Sequence, residues 1–247
     1  MSDSPPFPQT AMVLAAGKGT RMRPLTERFP KPLVEICGRT LLDNILDHLD
    51  RAGISKVVVN AHYLGEQIVA HLAARNSPVS ETILEAELLE TGGGVTNALP
   101  HLGDDPFYVV NGDVLWLDGK EPALKRLAAA WDGEKMDALL LLQPVTRAMC
   151  YDGAGDFMMD PLGLLRRRDQ KEVAPYVFAG AQLLHPRLFK DVPQGPFSLN
   201  LVYDRAIESG RLYGIVHDGK WFHISTPEGL KEAEDSFSHD AYDFYRP

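Results

Sequence analysis

The sequence predicts an α/β fold: a mixed, mostly parallel central sheet flanked by helices, with a small β-hairpin lobe. Three observations carry that prediction. Strand-length apolar runs alternate with helix-length amphipathic segments from residue 11 to residue 143, as right-handed crossovers between parallel strands require. The pattern changes after Pro144, where a strong turn and closely spaced strands point to antiparallel pairing. No Pro/Ser/Gly-rich linker or internal repeat divides the 247 residues. A chain of this length buries about three-quarters of its unfolded surface, so one domain over 1–247 with an inserted lobe is sufficient.

The elements follow in order. Residues 11–16 form an apolar strand that leads directly into Gly17 and Gly19. Leu41, Leu42, Ile45, Leu46 and Leu49 recur at helical spacing, and Gly53 follows that helix. Residues 56–60 read as a buried strand, 64–74 as a helix and 82–85 as a short strand. Gly92, Gly93 and Gly94 open a helical segment that runs to Leu99, and 107–111 is a strand ending in Asn111-Gly112-Asp113. A helix over 122–131 and a buried strand over 137–143 come next. Segments 155–159 and 164–168 then flank Asp160-Pro161-Leu162-Gly163, whose proline at the second turn position favours a hairpin. A long strand over 176–184 precedes a helix over 196–209, with Leu199, Val202, Tyr203, Ala206 and Ile207 on one face and Gly210 closing it. Strands over 212–217 and 221–224 and a helix from Pro227 to Phe237 complete the pattern.

Composition removes several classes. With 45% hydrophobic and 24% charged residues, the chain matches neither collagen nor disordered sequence. No apolar run approaches the ~20 residues of a membrane span. The stretch 1–10 has three prolines and no basic residue, unlike a secretory signal. Two cysteines, Cys37 and Cys150, cannot build a disulfide framework, so a reduced cytoplasm is the expected location. A net charge of −9 argues against nucleic acid or anionic membranes as partners. Small-molecule substrates are expected, with the chain a monomer or homodimer. Lys18, Arg21, Arg23, Arg28 and Lys31 nevertheless cluster against Glu27 alone. A compact cationic loop on an acidic body suits a small polyanion, although charge alone favours a solvated loop.

That loop, Leu14-Ala15-Ala16-Gly17-Lys18-Gly19-Thr20-Arg21-Met22-Arg23-Pro24-Leu25-Thr26, leaves a strand, the right place to cradle phosphates on backbone N–H groups. It is not a P-loop, because Gly19 separates Lys18 from Thr20. It is not the dinucleotide fingerprint either, because Met22 stands where the third glycine belongs and Pro24 and Pro30 prevent a helix.

The longer string Gly17-x-Gly19-Thr20-Arg21-x-x-Pro24-x-Thr26, followed by Pro30-Lys31-Pro32-Leu33, resembles the signature of the sugar-1-phosphate nucleotidylyltransferases. The resemblance continues through Asn111-Gly112-Asp113, Phe178-Ala179-Gly180-Ala181 and Trp221-Phe222-His223-Ile224-Ser225-Thr226-Pro227-Glu228, in family order across residues 12–229. It implies a Rossmann-like nucleotidyltransferase fold, with a nucleotide-binding half over 11–145, a sugar-binding half with closing strands over 146–237 and a tail over 238–247. Within the family, the length, Glu90-Thr91-Gly92-Gly93-Gly94 and residues 176–180 look most like N-acetylmuramate-1-phosphate uridylyltransferases. Mannose-1-phosphate guanylyltransferases and glucose-1-phosphate thymidylyl- or uridylyltransferases are similar alternatives.

The implied reaction joins a sugar 1-phosphate to the α-phosphorus of a nucleoside triphosphate and releases pyrophosphate. It needs positioned positive charge rather than a protein nucleophile. Arg21, a bidentate guanidinium, suits the leaving phosphates, and Lys31, held by Pro30 and Pro32, suits the α-phosphate. The resemblance gives nucleotide binding to Leu14, Ala15, Ala16, Gly17, Gly19, Thr20, Glu85, Thr91 and Gly92, with Glu85 reading the base. It gives the sugar to Asn111, Ala179 and Gly180, and Arg168 is a candidate cation there. Alternation along a strand lets only part of Arg166-Arg167-Arg168 face one site.

Asp113 is the expected Mg²⁺ ligand. The family's second metal aspartate is replaced here by His223. Imidazole is a poor ligand for Mg²⁺ and suits Mn²⁺ better. His223 is therefore a second metal candidate, with Asp204 or Asp218 as the alternative carboxylates. The same departure leaves open a non-catalytic relative that binds nucleotide sugars and regulates a partner.

Overall fold

The computed structural model describes residues 8–239; the leader before Pro8 and the aromatic tail containing Tyr242 and Tyr245 lie outside the described residues. β1 (Thr10–Leu14) runs into a loop of three 3₁₀ turns and a two-stranded ribbon, β2 (Glu35–Ile36) and β3 (Arg39–Thr40). There follow α1 (Leu41–Arg51), β4 (Lys56–Ala61), α2 (Gly65–Ala73), β5 (Val79–Leu84), α3 (Glu90–Leu102) and β6 (Phe107–Asn111). β7 (Leu115–Leu117), α4 (Ala123–Ala130), β8 (Ala138–Pro144) and β9 (Ala148–Met149) come next. The chain continues through the hairpin β10 (Phe157–Met159) and β11 (Leu165–Arg167), then β12 (Tyr176–Leu184), α5 (Asn200–Glu208), β13 (Leu212–Val216), β14 (Lys220–Phe222) and α6 (Pro227–His239).

The central sheet is mixed and mostly parallel. β1 pairs in parallel with β4 and β6, and β4 pairs with β5 at the edge. β12 runs antiparallel to both β6 and β8, so a strand from the second half of the chain joins two from the first. β13 extends the sheet in parallel with β8, and the hairpin continues it beyond β12.

Alternate residues of each strand feed opposite cores, as the two-residue period of a strand demands. Ala11, Val13, Val57, Val59, Tyr108 and Val110 face α1 and α4 through Leu42, Ile45, Leu46, Leu49, Leu124 and Leu127. Met12, Val58, Val109 and Leu140 face α3 and α5 through Val95, Ala98, Val202 and Ala206. A third, smaller core joins Met22, Ile36, Leu115, Phe222, Ile224, Leu230 and Ala233. It fastens the cationic loop to β14 and α6.

Three elements differ most in their boundaries from the sequence reading. The helix expected over 196–209 begins only at Asn200, because the preceding backbone is used elsewhere. Phe197 O accepts from Gly92 N–H at 2.8 Å and Gly93 N–H at 3.1 Å, and Phe197 N–H donates to Leu89 O at 3.2 Å. α3 begins at Glu90 and runs past Pro100 to Leu102. β5 is six residues long rather than four, an edge strand whose Val79 and Leu84 remain exposed. The ribbon β2–β3 and the strands β7 and β9, which join the expected β14 in a small separate sheet, are additions. Two- and three-residue strands are too short to show a hydrophobic period.

Candidate active site

The carboxyl ends of β1 and β6 lie side by side mid-sheet, where open α/β sheets leave a crevice for ligands. Leu14 pairs with Asn111, and Gly112 N–H donates to Leu14 O at 2.8 Å. A cleft of about 490 Å³ opens there. Residues 14–17 and 19–21 line it, together with Lys31, Thr91, Asn111 and Asp113.

The loop keeps its shape through local bonds. Gly19 adopts φ 60°, and its carbonyl accepts from Met22 N–H at 2.9 Å and from the Thr26 hydroxyl at 2.8 Å. A Cβ at Gly19 would meet Lys31 Cβ at 2.9 Å, so this position needs glycine on both conformational and steric grounds. The buried Thr26 is held in turn by Tyr63, whose hydroxyl donates to Thr26 O at 2.8 Å. Short 3₁₀ turns over Thr20–Met22, Leu25–Glu27 and Lys31–Leu33 replace a helix, as the prolines require.

Lys31, only 8% exposed, donates from Nζ to Asp113 Oδ2 at 2.7 Å. The cationic loop and the end of β6 thus meet directly. Arg21 lines the same cleft and has no ion-pair partner among the described residues. His223 follows β14, its ring edge-on to Tyr151 at 5.5 Å and tilted against Trp221 at 5.8 Å. Burial, then the charges of Lys31 and Arg21, hold its imidazole below the ordinary value, with Asp113 and Asp152 pulling the other way.

Among the described residues, no group of three or more His, Cys, Asp or Glu is placed to hold a metal ion unaided. Asp113, with 41% of its side chain exposed, offers a hard oxygen donor at the cleft wall. That donor fits a divalent ion which takes its remaining oxygens from phosphate and water, the habit of Mg²⁺. Asp204 and Asp218 do not reach the cleft: Asp204 pairs with Arg167, and Asp218 with Arg126 at 2.8 Å.

Other expected site residues stand back from the cleft. Glu85 is 7% exposed and bonded to Asn60. Gly92 is buried against the Phe197 ring. Ala179 and Gly180 are buried at an irregularity in β12, where Ala179 O accepts from the Trp221 indole at 2.9 Å. Arg168 donates to Gly155 O at 2.9 Å, while Arg166 pairs with Glu172. The sequence reading missed Asn60, Leu88, Ser198 and Ser225, all of which line the cleft. Asn60 carried a signal as the polar residue near the end of an apolar strand, and Ser225 stood inside the motif 221–228; Leu88 and Ser198 carried none.

A glycine loop at the end of β1, two cations and an acid in one cleft define a nucleotide-handling transferase. The MobA-like NTP transferase family model matches residues 11–189, and the chain belongs to this family, among its sugar-1-phosphate nucleotidyltransferases. The N-acetylmuramate α-1-phosphate uridylyltransferase of Caulobacter vibrioides is 41% identical over 92% of this chain and 96% of its own length. Its counterpart from Neisseria meningitidis serogroup B is 33% identical over 91% and 96%. A putative glucose-1-phosphate thymidylyltransferase from Bacillus anthracis, solved with sucrose, shares the fold at TM-score 0.78 and 17% identity, over 96% of this chain and 97% of that one. No helix among the described residues is long and apolar enough to cross a membrane.

Proposed function

We propose that this enzyme transfers the uridylyl group of UTP to N-acetylmuramic acid 1-phosphate, in cytoplasmic recycling of cell-wall sugars. The reading rests on one observation above all: Arg21, Lys31 and Asp113 share the cleft that the glycine loop lines. The 33–41% identity to two uridylyltransferases supports UTP and this sugar over the guanylyl and thymidylyl alternatives.

A sugar phosphate oxygen attacks the α-phosphorus, a new P–O bond forms, and the bond to the β-phosphate breaks. Pyrophosphate leaves with the electron pair. Lys31 meets the crowded negative charge at the α-phosphate, and Arg21 clamps the departing phosphates, where charge grows as the bond breaks. Backbone groups of residues 14–20, with Thr91, hold the nucleotide, and Asn111 faces the sugar. Asp113 is the residue that would hold Mg²⁺, and His223 would favour a softer ion such as Mn²⁺. When bound, the ion supplies positive charge to the phosphates.

A panel of nucleoside triphosphates crossed with hexose 1-phosphates, scored by pyrophosphate release with Mg²⁺ present, tests the reading. UTP with N-acetylmuramic acid 1-phosphate should lead the panel. Silence from every pair would overturn the enzymatic reading, and a faster pair would replace the substrates.

A further inference from the structure

Behind the cleft a buried relay of hydrogen bonds ties its two walls together. Ala15 N–H donates to Asn60 Oδ1 at 2.9 Å, Asn60 Nδ2 donates to Glu85 Oε1 at 2.6 Å, and Leu89 N–H donates to Glu85 Oε2 at 3.3 Å. Ala15 begins the glycine loop, whereas Leu89 immediately precedes Glu90 and Thr91, which line the facing wall. Asn60 is 2% exposed and Glu85 7%, so water does not substitute for these partners. α3 passes close beside them: a Cβ on Gly94 would lie 2.8 Å from Asn60 Nδ2 and 3.1 Å from Glu85 Oε1.

The chemistry of the end groups fixes the direction of every bond. Main-chain N–H groups at both ends only donate. Residue 60 must therefore accept from Ala15 and turn its amide hydrogens toward residue 85, which has to accept twice. A carboxylate does this and a carboxamide does not. We propose that Asn60 and Glu85 are positioning residues, whose relay sets the spacing between the Ala15 backbone and the Leu89-Glu90-Thr91 segment so that the nucleotide enters a pre-formed slot. Glu85 acts on the nucleotide through Asn60 and Ala15, with both of its oxygens committed, and does not read the base. The inference rests on the nucleotide reading given above.

The polarity argument supplies its own test. Glu85→Gln turns an N–H toward a group that only donates, and Asn60→Asp sets carboxylate against carboxylate. In the double variant every donor again meets an acceptor. The new carboxylate accepts from Ala15 and from the new carboxamide, whose oxygen accepts from Leu89. Each single variant should raise KM for the triphosphate about tenfold, leaving kcat and KM for the sugar phosphate within about twofold, and the double variant should recover most of the loss.

Exchange of the Ala15 amide hydrogen, followed by NMR on the free chain, should quicken in each single variant and slow again in the double. This readout needs no substrate. If the wild type releases no pyrophosphate, the substrate reading fails while the exchange data still judge the relay. Unchanged Ala15 exchange in Glu85→Gln, or a double variant as impaired as both singles combined, would overturn the relay. Should Asn60→Asp fail to fold, Glu85→Gln against the double variant carries the same comparison.

Discussion

Arg21 faces the cleft without an ion-pair partner among the described residues, whereas Lys31 is already tied to Asp113. The two cations therefore start from different states. Arg21→Ala should leave the fold intact and lower turnover by roughly 10²–10³, the scale of losing one preorganised transition-state donor. An unchanged rate in a steady-state assay would remove its role. His223 is the other position where one side chain decides an outcome. His223 feels the charge of Asp113; if the two share an ion, exchanging His223 for aspartate adds a hard oxygen donor, and the ratio of Mg²⁺- to Mn²⁺-supported rates should rise about tenfold. That Arg21, Lys31 and Asp113 share one cleft was legible because each lies in a motif that resembles the family signature; charge and spacing alone left a solvated loop open. The places of Asn60 and Ser198 were not, since a single polar residue in an apolar strand or before a helix has many structural explanations.

At the level of elements, several joints are made by side chains acting between segments. Asp118, just past β7, accepts from His48 of α1 at 3.2 Å, from the Trp116 indole at 3.1 Å and from Ala123 N–H, which opens α4, at 2.9 Å. Burial opposes its charge, but the hydrogen bond and charge of His48, with the Ala123 and Trp116 bonds, outweigh that and hold the carboxyl at about 2 against an ordinary 3.8. A lowered folded-state value means the stabilisation is complete above about pH 5 and is lost as pH falls toward 2. Asp118→Asn should cost about 2 kcal/mol at pH 7 in denaturant melts, and the gap from wild type should close between pH 4 and pH 2. A gap independent of pH would assign the cost to packing. Long periodic elements such as α1 and β12 were readable from sequence. The late start of α5 was not, because Phe197 is drawn out of the helix by contacts made more than a hundred residues away.

At the scale of the whole molecule, a net charge of −9 coexists with a cation-lined cleft, so anion binding depends on local geometry rather than on bulk charge. Ligand linkage gives a global readout. UTP with Mg²⁺ at a hundred times its dissociation constant adds about 2.7 kcal/mol, which should raise Tm by about 5–10 °C for a chain of this size. Chelating the ion should remove most of that shift, and a shift indifferent to the chelator would detach Asp113 from metal binding. The layered α/β plan was visible in the alternation of strands and helices. The place of β12 beside both β6 and β8 was not, since strand order comes from pairings distant in sequence.

That placement has a consequence for how the protein comes into being. β6, which delivers Asp113, has only β1 beside it until residues 181–184 of β12 arrive to pair along its other flank. On the ribosome, a nascent chain released up to β8 holds every cleft cation but an unfinished sheet with an open, apolar margin. Maturation of the active centre is therefore a late event in synthesis, and truncated translation products ending before β12 should be sticky and prone to degradation.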